Sequence, residues 1–182
     1  MDNIVAEWKR QRPDLDVSPT HTLTRIRRLA VLQAASYTPI FARHGLTWGE
    51  YVVMAALRRS GPPFRMTPTK LFSSILLSSG AMTNRLDRLE EMDLVRRLPD
   101  PNDRRGRLVE LTAKGRRLVD RVVVDHLTKE HELIDPLSRS EQKLLASLLR
   151  KLLLSEPFRA LEPARVSSTT ARGNRRRRPP RR

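Results

Sequence analysis

The side chains with most chemistry to offer in this chain are guanidiniums, and they gather in one short stretch. Between Leu94 and Gly115 the sequence reads LVRRLPDPNDRRGRLVELTAKG, with Arg104, Arg105 and Arg107 crowded beside Asp103. Arginine offers a planar fork of donors that suits phosphate oxygens and base edges. Two strand-like segments, Leu94 to Leu98 and Arg107 to Thr112, flank a turn cluster of Pro99, Asp100, Pro101, Asn102, Asp103 and Gly106, which predicts a basic β-hairpin. Leu108, Val109 and Leu111 supply the apolar content of the second segment, with Arg107 and Glu110 expected on a wet face. Taken alone, such a hairpin could also be a solvated surface feature that only aids solubility.

What gives the arginines a use is the segment that must position them. Thr67 followed by Pro68 is a helix N-cap with proline at the first helical position, and Leu71, Phe72, Ile75 and Leu76 share one face of a helix expected over Thr67 to Leu77. Ser78, Ser79 and Gly80 interrupt the pattern and offer a second cap. From Ser78 to Asp93 a second helix carries Met82, Leu86, Leu89 and Met92 as its inward stripe. Its other face presents small polar and cationic residues suited to a major groove. The candidate DNA contacts are therefore Ser78, Ser79, Thr83, Asn84 and Arg88 from the helix, with Arg104, Arg105 and Arg107 from the hairpin. Helix, turn, polar-faced helix and basic hairpin make a winged helix-turn-helix.

The stretch SSGAMTNRLDRLEEMDLVRRLPDPNDRRGRLVELTAKGRRLV, with Asp103, Arg104, Arg105 and then Val109, Leu111, Thr112 and Gly115, resembles the MarR family of bacterial transcription factors. Compatible helical segments extend the resemblance over about residues 18 to 154. It implies that Asp103 braces the wing and that Arg105 reaches into the minor groove or onto its backbone. The chain departs from the family at Asp93, where members usually carry glycine at the end of the recognition helix. Aspartate takes the left-handed conformation less readily, so a strained or altered helix end is expected there.

Around the reading head the pattern is helical. Ser18 to Arg43 carries Leu23, Ile26, Leu29, Leu32 and Tyr37, with Pro39 expected to kink or restart it. Thr47 to Arg59 opens on a Thr47, Trp48, Gly49, Glu50 capping box and ends at Gly61, Pro62 and Pro63. Thr112 caps a helix from Ala113 to about Leu133, and Ser140 to Leu154 is rich in leucine. The expected architecture is mainly α with a small β-hairpin. It comprises an N-terminal extension over 1–17, a winged helix domain over 18–157 with its DNA-binding lobe at about 47–112, dimerisation helices at about 18–43 and 113–154, and a disordered arginine-rich tail over 158–182. Surplus leucine on the terminal helices suggests a second copy as their partner, and the resemblance implies a two-fold dimer reading a palindrome.

Net charge agrees. Formal charge is +16, and the eight arginines from Pro163 onward, with no acid among them, leave the rest of the chain at +8. The tail segment VSSTTARGNRRRRPPRR lacks apolar periodicity and is expected to be a disordered phosphate-binding arm or a solubility tail. No cysteine is present, which excludes disulfides and thiol sensing. No apolar run is long enough for a transmembrane span, and MDNIVAEWKR is too charged for a signal peptide. The resemblance implies a bacterial cytoplasmic, nucleoid-associated protein.

The segment EWKRQRPDLDVSP resembles an N-terminal extension of the urate- and aconitate-responsive branch of the family. That resemblance implies Trp8, Arg59 and Arg85 as ligand-binding candidates for a small anionic or aromatic effector. Where that branch carries an aspartate, this chain has Val52. No catalytic motif is present, His21, His44, His126 and His131 are scattered, and no cofactor or metal is expected; Asp125, His126, Glu130 and His131 read as a solvated charged face. The chain therefore reads as a sequence-specific, homodimeric regulator, a repressor released by a ligand, with a nucleoid-type architectural protein as the alternative.

Overall fold

Capping chemistry decides where the helices begin, and apolar spacing decides which faces they bury. The computed structural model describes residues 2–75 and 79–161. In chain order these form α1 (Asp2–Gln11), α2 (Ser18–Arg43), α3 (Trp48–Arg59), β1 (Arg65–Met66), α4 (Pro68–Ser74), α5 (Ser79–Glu91), β2 (Val95–Asp100), β3 (Asp103–Leu111), α6 (Ala113–Ile134), α7 (Arg139–Leu153) and α8 (Glu156–Arg159). The fold is mainly helical with one small antiparallel sheet, as expected.

Three threonines start three helices. The Thr47 hydroxyl accepts from the Glu50 amide and the Glu50 carboxylate accepts from the Thr47 amide at 2.7 Å, closing the capping box. Thr67 accepts from the Lys70 amide and Thr112 from the Gly115 amide. Each such cap stabilises its helix by about 1 kcal/mol. Of the expected kink or restart at Pro39, the restart does not occur: α2 continues through the proline as one helix to Arg43. Proline removes one hydrogen bond near the end of that helix, and the neighbouring Tyr37, Ile40 and Phe41 are all buried, which holds the turn in place.

The chain divides into two compact units, one reaching to Lys143 and one from Leu144 onward. In the first, α3 is the central helix: Val53, Met54 and Leu57 are fully buried, together with Phe41 of α2, Leu71 of α4, Leu89 of α5, Val109 of β3, and Val119 and Val122 of α6. Burying each such side chain contributes about 1.5–3 kcal/mol. Met82, Leu86 and Leu89 face inward as the spacing required, with Met92 partly buried behind them.

α4 stops at Ser74, short of the expected Leu77, because Ile75 turns to extended backbone and buries its side chain. Ser73 and Ser74 also donate their hydroxyls back to the carbonyls of Lys70 and Leu71, local bonds that favour a helix end. Leu76, Leu77 and Ser78 lie outside the described residues.

The sheet has the order β1-β3-β2. β2 and β3 pair from Val95 opposite Leu111 to Asp100 opposite Asp103, so the hairpin is longer and its turn tighter than expected, with only Pro101 and Asn102 left between the strands. Pro99 is tolerated because β2 is an edge strand, where its missing N–H breaks no ladder. The Asp100 carboxylate accepts from the Asn102 amide at 2.9 Å and closes the turn. Two-residue β1 pairs its Arg65 with Glu110 and is too short to show a period in sequence. Glu110, expected on a wet face, is buried, because Arg96 and Arg65 cover its carboxylate at 2.5 and 3.9 Å. α1 packs on α2 with Val5 buried.

Candidate nucleic-acid interface

Helix α5 shows solvent its polar face. Thr83 and Asn84 are exposed, and Arg88 is about half exposed with its Nε 3.2 Å from a carboxylate oxygen of Glu50. The Glu50 side chain is itself only 3 % exposed. One buried carboxylate therefore fixes the start of α3 and the azimuth of Arg88 together, since its other oxygen accepts from the Thr47 amide. An ion pair with one buried partner orients more strongly than a surface pair, because breaking it would strand the charge. Ser79 opens α5, though its side chain, like Ser78 as a whole, lies outside the described residues.

A second clamp joins this helix to the hairpin. Arg97 of β2 reaches Asp87 and Glu90 of α5 at 2.6 Å each, and its main-chain amide donates to Glu90 at 3.0 Å. The two carboxylates, mainly Asp87, raise the Arg97 guanidinium above its already high ordinary value. The sequence marks Glu50 only as half of a capping box and does not single out Arg97. It does hold a signal for Arg97: Asp87 and Glu90 lie three apart on one helix face, and the next strand carries Arg96 and Arg97 just after its first residue.

In the hairpin itself, Arg107 is exposed opposite Pro99. Arg104 and Arg105 belong to β3, but their side chains lie outside the described residues. Asp103 is exposed at the turn, where a Cβ on Gly106 would stand 3.0 Å from the Cβ atoms of both Asp100 and Asp103, a tight fit that would press the two aspartates aside.

α5 ends in a pair of reverse hydrogen bonds, Leu94 amide to Leu89 carbonyl and Asp93 amide to Glu90 carbonyl, both 2.9 Å, with Asp93 at φ +58°. This is the Schellman geometry that usually takes glycine. The departure at Asp93 thus keeps the usual shape and places aspartate in it. The end is anchored to α6, since the Thr112 hydroxyl donates to the Asp93 carbonyl and Lys114 to the Met92 carbonyl, both at 2.7 Å.

The three ligand-binding candidates are not joined. Trp8 is half exposed on α1 and Arg59 is exposed at the end of α3. Arg85 lies across Gly49, where an added Cβ would come within 2.9 Å of three of its side-chain atoms. Its Nη1 is buried with no hydrogen-bond partner among the described residues. None of the three is hydrogen-bonded or in cation–π contact with another.

Behind α3, Tyr51 pairs its hydroxyl with His126 Nδ1 at 3.0 Å inside a group of rings from Tyr37, Phe41 and Trp48. Burial pushes the Tyr51 hydroxyl up to about 12, so it stays protonated and can pair with either tautomer of the imidazole. His126, expected on a solvated face, is buried because these rings enclose it. Among the described residues no group of three or more acidic, histidine or cysteine side chains could hold a metal, and no helix is long and apolar enough to cross a membrane.

A family model described as MarR family matches residues 46–106, the span from the start of α3 to the hairpin. The transcriptional regulator PecS of Dickeya dadantii is 33% identical over 152 residues, 84% of this chain and 92% of its own length. The chain belongs to the MarR family. NicR of Pseudomonas putida, a transcriptional repressor, is 27% identical over 78% of this chain and 90% of its own length. A crystal structure of a MarR mutant from E. coli complexed with operator DNA superposes with a TM-score of 0.65 at 28% identity, covering 76% of this chain and 99% of that one. This MarR-family chain is accordingly a DNA-binding transcriptional regulator with a winged helix-turn-helix.

Proposed function

We propose that this regulator is a homodimeric repressor that reads a palindromic operator with α5 in the major groove and the hairpin tip at the flanking minor groove. The observation that carries the reading is the double clamp on α5: Glu50 to Arg88 on one side, and Arg97 to Asp87 and Glu90 on the other. A helix and hairpin locked in register present Thr83, Asn84 and Arg88 together with Arg107, and Arg104 and Arg105 are assigned to the same contact by the family resemblance. Ser78 and Ser79 are assigned to the same DNA contact by the family resemblance, and Asp103 to bracing the hairpin turn. The repressor assignment is supported by the NicR likeness.

Two separate apolar stripes are candidates for meeting a second copy, Leu23, Leu29 and Leu32 of α2 and Leu144, Leu148 and Leu152 of α7, all exposed in a single chain. Two-fold symmetry then sets the half-sites about one helical turn apart. The tail beyond residue 162 adds salt-dependent phosphate affinity.

Binding to the DNA adjacent to the protein's own gene, resolved by footprinting, tests this. A short protected palindrome is expected, and Arg105→Ala should weaken it by about 1–3 kcal/mol. Uniform protection of any duplex would instead establish an architectural DNA coat.

One observation favours an anionic effector: the buried, unpartnered Nη1 of Arg85 beside Gly49. Trp8 and Arg59 complete the candidate set. Val52 supplies no carboxylate to accept a ligand N–H, so the effector is one held by cations rather than urate itself. Melting curves with urate and with aromatic acids check this; stabilisation by aromatic acids that is lost in Arg85→Gln is expected, and a response to urate alone would overturn it.

A further inference from the structure

Opposite the hairpin tip, where the strands run into α6, lies an open cleft of about 660 Å³ lined by Phe64, Arg96, Lys114, Arg116 and Arg117, with Asp93 and Glu110. Its charges do not balance. Glu110 is already covered by Arg96 and Arg65. Arg116 stands 5.5 Å from the centre of the Phe64 ring, and Arg58 stands 5.0 Å from the same ring, so two like charges share one π system. Arg117 is exposed and has no ionic or hydrogen-bonded partner among the described residues.

These cations also sit at the wrong end of a helix. Lys114, Arg116 and Arg117 fall within the first five residues of α6, and its first turn contains no acid. The positive end of a helix macrodipole favours anions and is destabilised by cations. Ala113 and Lys114, whose amides precede the one that Thr112 caps, line the same cleft. Side-chain cations, a helix terminus and a cleft of ligand size therefore converge, and all three are relieved by the same occupant.

DNA at the tip is not that occupant. The cleft lies at the Val95–Leu111 end of the hairpin, about five strand residues or 17 Å from the Asp100–Asp103 end. It adjoins the end of α5, where Arg88 is turned to Glu50 of α3, whereas Thr83 and Asn84, the other described groove candidates, lie nearer its start.

We propose that this cleft binds a small polyanion of the phosphate class, the di- or triphosphate group of a metabolite, through Lys114, Arg116 and Arg117. Lys114 also donates to the Met92 carbonyl, so an anion that draws on its ammonium bears on the C-terminal turn of α5. The site is independent of the reading of α5 as a groove helix.

Calorimetry and thermal melting of the full chain with sodium tripolyphosphate test the assignment. One anion per cleft is expected, with a rise in melting temperature. R116Q/R117Q should weaken affinity about tenfold or more, as removal of charge-assisted bonds requires. Without anion that variant should melt no lower than wild type, because like charges leave the helix start. A tail variant, R175Q/R176Q/R177Q/R178Q, should retain the affinity within about twofold, since only nonspecific attraction is lost. The assignment is overturned if no anion binds, if the tail variant and not the cleft variant loses binding, or if sodium chloride of equal ionic strength gives the same melting shift. It is equally overturned if the cleft variant leaves tripolyphosphate binding intact but weakens binding to a mixed-sequence duplex and lowers its salt slope, because the occupant is then the DNA backbone.

Discussion

Helices α5 and α7 carry the same kind of apolar stripe and meet opposite fates. α5 buries Met82, Leu86 and Leu89 inside the reading head, and Arg88 is tied to Glu50. α7 buries nothing: Leu144, Leu148, Leu152 and Leu153 are between 36 % and 61 % exposed. An amphipathic pattern specifies that a helix needs a partner and does not specify whether the partner is in the same chain. One helix is thus finished by folding, and the other keeps the exposed stripe that the proposed dimer would cover.

Replacing Leu148 by aspartate should break this contrast most severely. A carboxylate at the centre of a face buried in the proposed dimer costs several kcal/mol if left unpaired, so the dimer should dissociate at micromolar concentration and specific DNA affinity should fall by about 100-fold or more. Analytical ultracentrifugation and gel shift read both effects, while helical content should stay unchanged. A variant that remained dimeric would move the interface off α7.

Gly115→Ala attacks the finished side. A Cβ there would stand 2.0 Å from the Leu94 carbonyl oxygen, a clash with main chain that no side-chain rotation relieves. The joint between hairpin base and α6 must open, and a loss of about 2–4 kcal/mol in denaturant unfolding is expected, in the range of other severe packing lesions.

A smaller effect arises where α2, α3 and α6 meet. Burial holds His126 below its ordinary value, opposed by the charge of Glu130. The unfolded chain then takes up the proton first as pH falls, so stability is full above the ordinary histidine value of about 6.5 and declines below it. Unfolding midpoints from pH 7.5 to 5 should fall more steeply for wild type than for His126→Gln. Parallel curves would remove His126 from the acid side of the stability profile.

The parts that sequence made visible were those set by local rules. Thr47, Thr67 and Thr112 announce caps three residues before the amides that donate to them, and the Met82, Leu86, Leu89 spacing names a buried face. The Arg97 clamp, the β1 pairing and the burial of Glu110 depend on residues brought together across the fold, and period counting does not see them. His126 was misplaced for the same reason: its neighbours in sequence are charged, whereas its neighbours in space are rings. Ser78, Arg104 and Arg105 remain functional assignments by likeness, since their side chains are outside the described residues.

The smallest effect bears on how α5 is finished, and α2 supplies its control. α2 ends with Leu46 amide to Phe41 carbonyl and Gly45 amide to Ala42 carbonyl, both 3.0 Å, the same reverse pair that ends α5. There the left-handed residue is Gly45 at φ +69°, and here it is Asp93 at φ +58°. Left-handed backbone costs a non-glycine residue about 1 kcal/mol, partly offset by the extra freedom that glycine has in the unfolded chain. Asp93→Gly should therefore stabilise by up to about 1 kcal/mol and Gly45→Asp should destabilise by a similar amount. Space does not confound the second change, since a Cβ at Gly45 meets only the end of Met92 at 3.9 Å. Asp93 also lines the basic cleft beside Lys114, so its removal should tighten tripolyphosphate binding while it stabilises the helix end. If Asp93→Gly instead lowered stability, the carboxylate would be worth more as a counter-charge in the cleft than its backbone strain costs.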